Sequence, residues 1–308
     1  MNPPLVNSPD AAVTGAPAPV AKPAASSARR RVLAFNMDRN ALMPMVARVA
    51  PGIAARWLER VFLTPQRPNG EARDLAGIGA VPSQIDHAGR NLRVWTLGDG
   101  PSVLLVHGWS GYAGQFADIM LGLAQAGFRA VAYDAPAHGK SDGGQTNMVD
   151  FAGSILAMAR ACGPFVAAIA HSFGAPSTIL AVERGLQVNR LVVIAPPTSL
   201  AQFGRLVARQ MGLRPELGAR MQKRNERRIG KNWYVLEAEH MIKGLGPRLP
   251  PLFIVHDKRD REVPWANGAA VAAVAPEAKF VTTSGLGHTK ILKDESVIAQ
   301  IVGFVGDR

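Results

Sequence analysis

The stretch that most constrains the fold is Phe165-Val166-Ala167-Ala168-Ile169-Ala170-His171-Ser172-Phe173-Gly174-Ala175. An apolar, β-rich run ends abruptly in a serine between small residues, and a helix-like stretch follows. A strand that gives way to a helix so quickly has to turn sharply. The residue at the turn, Ser172, is thrust outward on strained backbone angles. Two positions earlier the strand and helix backbones nearly touch, so the side chain there must be small, and it is Ala170. The pattern reads Ala-His-Ser-Phe-Gly where Gly-x-Ser-x-Gly is the usual form. A serine presented in this way is a candidate nucleophile.

The surrounding chain supplies a context for it. Strand-like runs at 92–97, 102–106, 129–133, 165–170, 190–195, 251–255 and 279–283 alternate with helical patterns at 113–126, 149–161, 175–185, 265–274 and 292–304. Such alternation predicts a largely parallel sheet covered by helices on both faces. Ligand chemistry in such sheets gathers at the carboxyl ends of the strands. Ser172, Asp260 in His256-Asp257-Lys258-Arg259-Asp260-Arg261-Glu262-Val263-Pro264, and His288 in Ser284-Gly285-Leu286-Gly287-His288 each follow such a run.

Two further segments complete the pattern. Val103-Leu104-Leu105-Val106 runs into His107-Gly108-Trp109-Ser110-Gly111, and Tyr133 into Asp134-Ala135-Pro136-Ala137-His138-Gly139-Lys140-Ser141. On these motifs, and on the order Ser, Asp, His, the chain from about Leu92 to Val305 resembles the α/β-hydrolase superfamily in its lidded, serine esterase/lipase-like branch. Ala170, Ala137 and Ala175 depart from glycines common in that pattern, small for small, and remove no reacting group.

The resemblance implies an α/β-hydrolase fold and a role for each residue. Ser172 is the expected nucleophile, His288 the base and Asp260 the acid that orients it. The backbone N–H groups of Trp109 and Phe173 are the expected oxyanion hole. Asp257 competes for the acid role, but the Asp-x-x-Val-Pro match places it at Asp260. His107 and Gly108 are expected to shape the oxyanion loop, and His171 and Gly174 to support the elbow. Asp134, His138 and Ser141 are expected to stabilise their own loop. His240 and His256 have no partners at metal-ligand spacing, so neither a metal nor another cofactor is expected.

Between the runs ending at Ala195 and starting near Pro251 lie about 50 residues, far more than the ~4–6 of an ordinary connection. Their helical composition, over 200–211, 216–229 and 234–242, reads as a lid across 196–249. The expected organisation is a disordered Pro/Ala/Ser-rich arm over 1–27, a helical accessory segment over 28–82 with helical spacing from Arg31 to Met43 and from Ile53 to Leu63, and an α/β-hydrolase domain over 83–308.

Charge is unevenly distributed. Residues 1–60 hold 8 Lys/Arg against 3 Asp/Glu, residues 201–250 hold 11 against 4, and the remainder holds 16 of each. Two separate basic segments without a recognition module do not make a nucleic-acid interface, and solvated faces are the preferred reading. Arg220, Arg224 and Arg227 recur at helical spacing, as a stripe that would attract anionic substrates or face solvent. A single cysteine, Cys162, excludes an intramolecular disulfide. No run reaches a membrane span and no leader pattern opens the chain, so a cytoplasmic location is expected.

These readings converge on a serine hydrolase of carboxylic esters, acting on a small-molecule substrate through an acyl-enzyme intermediate. The same triad serves acyl transfer and carbon–carbon hydrolysis, which stay open as alternatives. A non-catalytic binding protein of this fold is the less favoured reading, because every reacting group is present.

Overall fold

The structure, a computed structural model, describes residues 43–67 and 73–307. The arm expected over 1–27 and nearly all of the helical pattern from Arg31 to Met43 lie outside the described residues.

Eight strands form one sheet: β1 (Val81–His87), β2 (Arg90–Leu97), β3 (Ser102–Val106), β4 (Arg129–Tyr133), β5 (Phe165–His171), β6 (Arg190–Ile194), β7 (Leu252–Asp257) and β8 (Lys279–Thr283), in the order β1-β2-β4-β3-β5-β6-β7-β8. β1 and β2 run antiparallel to their neighbours, and every pairing from β4 to β8 is parallel. The mostly parallel sheet flanked by helices is therefore as expected.

The helices are α1 (Met43–Val49), α2 (Pro51–Phe62), α3 (Ala117–Gln125), α4 (Met148–Cys162), α5 (Gly174–Glu183), α6 (Leu200–Gln210), α7 (Pro215–Ile229), α8 (Ala238–Leu245), α9 (Trp265–Ala273), α10 (Gly287–Lys290) and α11 (Glu295–Gly306). Local chemistry sets their ends. Asn147 caps α4 by accepting from the Asp150 N–H at 3.0 Å, and Asp294 caps α11 by accepting from Val297 at 3.0 Å. Pro215 starts α7, and Gly230, at φ 68°, stops it.

The inner strands read as continuous apolar runs because both faces are covered. Val103, Leu105, Ala132, Ile169, Val192, Ile194 and Val255 form one core with Phe116, Met120 and Leu123 near α3 and Val297, Ile298 and Ile301 of α11. The alternate residues, Leu104, Val131, Ala168, Val193 and Ile254, are buried on the other face, where α4, α5 and α9 lie. Covering both faces makes burial the dominant stabilising term, at roughly 25 cal/mol per Å² of apolar surface.

Strand register fixes where chemistry can occur. Val106 pairs with Ala170, His171 with Ile194, and Ile194 with Val255. The carboxyl ends of β3, β5, β6 and β7 are therefore level, and the segments after them emerge at one edge of the sheet.

The long connection between β6 and β7 contains α6, α7, a short 3-10 turn at Trp233–Leu236, and α8. α2 packs against it. Phe62 stacks on Trp233 at 5.3 Å and tilts against Phe203 at 5.6 Å, while Glu59 accepts from Arg224 at 3.1 Å. The arginine stripe read from α7 is thus divided: Arg224 turns to a buried carboxylate while Arg220 and Arg227 stay exposed.

Candidate active site

Ser172 sits between β5 and α5 with φ 51°, a left-handed backbone that a non-glycine residue adopts only where its surroundings impose it. Its N–H donates to the Ile194 carbonyl at 2.9 Å, and its own carbonyl accepts from Ala175 at 2.9 Å. The turn is closed by close backbone approach. A Cβ on Gly174 would lie 2.5 Å from the Val106 oxygen and 2.6 Å from the His107 oxygen, and a Cβ on Gly108 would lie 2.7 Å from Ser172 Cβ. Both glycines are required by space, so α5 begins directly against the end of β3.

The loop after β3 is pinned by His107. The Ala135 N–H donates to His107 Nε2 at 3.0 Å, so the ring proton sits on Nδ1 and is donated to the Gly108 carbonyl at 2.7 Å. Burial depresses the His107 pKa, which keeps this neutral tautomer. Asp134 holds the neighbouring loop by accepting from Ala113 and Lys140, each at 2.8 Å, while the Ser141 hydroxyl donates to the Asp134 carbonyl at 2.5 Å. His138 donates Nδ1–H to Pro136 at 2.9 Å and packs edge-on against Trp109 at 5.4 Å; burial pulls its pKa down to about 3. Among the described residues, neither the Trp109 nor the Phe173 N–H donates to a protein acceptor. The two side chains meet edge to face at 5.3 Å.

At the end of β7 the chain turns through Asp260, whose side chain is fully buried. Its Oδ1 accepts from the Glu262 and Val263 N–H groups at 2.8 and 2.9 Å, and its Oδ2 lies 2.7 Å from His288 Nδ1. Burial alone would push this carboxyl up. Hydrogen bonds from His256 and His288 outweigh it and hold Asp260 well below the usual carboxylate range. An ionised acceptor fixes the proton of neutral His288 on Nδ1, leaving Nε2 with the free lone pair.

His171, beside the serine, donates Nε2–H to the His288 carbonyl at 2.9 Å and stacks obliquely on that ring at 4.6 Å. Burial, then the neighbouring His288, keep its pKa well below the ordinary value. It ties the serine turn to the histidine turn. No hydrogen bond joins Ser172 Oγ to His288 among the described residues, in keeping with nucleophile–base contacts that tighten only around substrate.

Asp257 is engaged elsewhere. It accepts from the Thr283 hydroxyl at 2.8 Å and from the N–H groups of Arg259, Gly285 and Leu286 at 2.8, 3.2 and 3.0 Å. Burial opposes ionisation, but these donors win and bring its pKa to about 2. Its stabilisation is complete above the unfolded carboxylate's ~3.9 and is lost as pH falls through about 2. Asp257→Asn should therefore lower the urea midpoint at pH 7, and the gap to the unmodified chain should narrow steadily from pH 4 to pH 2. A gap independent of pH would contradict this assignment.

Two further residues, to which sequence reasoning assigns no part in the site, lie beside the Asp260–His288 pair. His256 Nε2 lies 3.4 Å from Asp260 Oδ2 and 3.0 Å from the Val263 oxygen, with its ring wholly buried. Its position four residues before Asp260 was the available signal. Glu262 Oε2 lies 4.0 Å from His288 Nε2, and burial chiefly raises its pKa. Among the described residues no group of three or more His, Cys, Asp or Glu side chains is disposed to hold a metal ion. No helix among them is long and apolar enough to cross a membrane.

The chain is similar to known proteins over most of its length. A sequence profile described as "Alpha/beta hydrolase family" matches residues 103–299. A curated pimeloyl-[acyl-carrier protein] methyl ester esterase of Xanthomonas campestris pv. campestris is 25% identical, over 68% of this chain and 96% of its own length. A solved structure of Est1E from Butyrivibrio proteoclasticus with bound ferulic acid superposes with TM-score 0.56 at 22% identity, covering 73% of this chain and 100% of that one. The esterase RhEst1 from Rhodococcus sp. ECU1013 gives TM-score 0.55 at 15% identity, covering 74% and 98%. At these identities the two solved structures carry the fold alone.

Proposed function

The chain belongs to the alpha/beta hydrolase family, and from that membership we propose that it is a serine hydrolase of carboxylic esters. The observation that carries the reading is the buried His288–Asp260 pair at 2.7 Å, tied through His171 to the strained turn that presents Ser172.

In this reading Ser172 Oγ attacks the ester carbonyl carbon and its proton passes to His288 Nε2. The tetrahedral oxyanion accepts from the free N–H groups of Trp109 and Phe173, each such donor being worth ~10²–10³ in rate. The intermediate collapses, the alcohol leaves with the proton from His288, and an acyl-Ser172 ester remains. Water then attacks that ester, losing its proton to His288, and the acid is released with Ser172 restored. Asp260 keeps the Nδ1–H tautomer and stabilises the imidazolium.

The helical connection between β6 and β7 leaves the sheet after Ala195, one residue beyond the Ile194 carbonyl that holds Ser172. On that ground we read it as the cover of the site. The curated relative is named for a methyl ester, so methyl esters belong in the first substrate set. The reading is tested by a panel of methyl and p-nitrophenyl esters of increasing acyl length. Hydrolysis of at least one series, abolished by Ser172→Ala, is expected; no turnover of any ester would refute it.

The oxyanion loop gives a separate prediction. Gly108→Ala places a methyl 2.7 Å from Ser172 Cβ, a contact of two rigid groups. Displacing the nucleophile by a fraction of an ångström to an ångström should cut kcat/KM by about 10². Steady-state kinetics on the best ester of the panel, with thermal melting as a folding check, measures it; full activity would mean that the glycine is dispensable.

A further inference from the structure

Among the described residues, most of the large exposed apolar side chains and the excess of positive over negative charge lie on one layer of helices. α1 packs on α2, α2 on α6 and α7, and α6 on α7. Of the six large apolar residues exposed among the described residues, Met45, Val49 and Ile53 lie on α1 and α2, Leu206 on α6 and Tyr234 in the turn following α7; only Val81 lies elsewhere. Met45 and Ile53 are each 64% exposed and Val49 81%. Single exposed apolar residues are ordinary on a protein surface, whereas their concentration on one layer is not.

The charges follow the same distribution. α1 and α2 expose Arg48, Arg56 and Arg60, and their one carboxylate, Glu59, is buried against Arg224. α6 and α7 expose Arg205, Arg209, Arg220, Lys223, Arg227 and Arg228 against a single exposed carboxylate, Glu216. Outside residues 1–60 and 201–250 the chain carries equal numbers of both signs. The inner side of α2 is already filled, by Phe62 on Phe203 and Trp233. Its outer side therefore has no partner within the described residues.

We propose that the outer face of α1 and α2 docks on an anionic lipid bilayer. Arg48 stands between Met45 and Val49 in sequence, and Arg56 lies one helical turn beyond Ile53. Cations reaching the headgroups beside apolar tips that enter the acyl boundary are the chemistry an anionic lipid surface rewards. An acidic protein or polyanion would need the arginines and not the three apolar side chains. The proposal does not depend on the hydrolase reading.

The test is co-sedimentation of the full chain with vesicles of phosphatidylcholine, with and without phosphatidylglycerol. Binding is expected only to the phosphatidylglycerol vesicles, weakening as salt rises. Reversing Arg48, Arg56 and Arg60 to Glu should weaken it by about 10². Changing Met45, Val49 and Ile53 to Ser should weaken it by at least about tenfold, with thermal melting unaltered. If the triple serine variant melts lower, the single Ile53→Ser is read in its place. Absence of binding to the anionic vesicles, or equal binding to both kinds, overturns the proposal. So does a serine variant that binds like the unmodified chain while the arginine variant does not, an outcome that would assign the face to an acidic macromolecule.

Discussion

Replacing Ser172 by alanine should lower ester turnover by about 10⁶, the scale on which a hydrolase triad fails without its serine, while leaving the fold intact. The two halves of this result have separate causes. Ser172 Oγ makes no hydrogen bond within the described residues, so its removal orphans nothing. The N–H bond to Ile194 and the φ of 51° belong to the backbone and pass unchanged to alanine, which carries the same Cβ. The melting temperature should stay within a degree or two, since surface-like changes without lost partners fall within about 0.5 kcal/mol. Stopped-flow and steady-state assays beside calorimetry measure both halves. A variant that melts normally and still turns over ester would mean that the strained serine is not the nucleophile.

Asp260→Asn should cost about 10⁴ in kcat, with little change in KM. The hydrogen bonds around this side chain give the reason. Oδ1 faces two N–H donors, those of Glu262 and Val263, and so must remain an oxygen in the amide. The NH₂ group is then forced into the Oδ2 position, 2.7 Å from His288 Nδ1. There it donates to Nδ1 and drives the ring proton to Nε2, the nitrogen that has to accept from serine. The same NH₂ also meets the Nε2–H of His256, now donor against donor. Asp257→Asn disturbs only the loop bonds to Thr283, Arg259, Gly285 and Leu286 and should cost no more than about tenfold in turnover. Steady-state kinetics of the two variants separates the residues, and a reversed order of effects would place the acid at Asp257.

The fold was legible in sequence wherever structure is encoded locally. The apolar runs 102–106, 129–133 and 279–283 became β3, β4 and β8 with the same bounds, because Gly, Pro and turn residues punctuate them. β1 was not read. Its sequence, Val-Pro-Ser-Gln-Ile-Asp-His, is mostly exposed at the sheet edge, so burial never imposed the alternation by which a strand is recognised. The helical pattern over 234–242 divides into a 3-10 turn and α8, with Asn232 accepting from the Tyr234 N–H at 2.8 Å.

What remained hidden depends on partners distant in sequence. Arg224 and Glu59 are 165 residues apart, so a helical stripe seen by itself could not reveal that one of its arginines faces inward. The contact of His171 with His288 spans 117 residues and rests on a backbone carbonyl, which leaves no trace in residue identity. Metal-ligand spacing says nothing of the place of His256, which is set by the turn that folds Asp260 back onto it. Glu262 comes within 4.0 Å of His288 from a turn whose N–H groups at Glu262 and Val263 close on Asp260, a contact with no local sequence signature.

The central claim is that Ser172 forms a covalent acyl intermediate, and its most direct measurement is the site of covalent capture. The native chain, treated with a fluorophosphonate and digested, should carry one phosphonyl group on the peptide containing Ser172. That adduct should be absent from Ser172→Ala and strongly slowed in Asp260→Asn. A native chain that stays unlabelled, or an adduct on any other residue, would contradict the account.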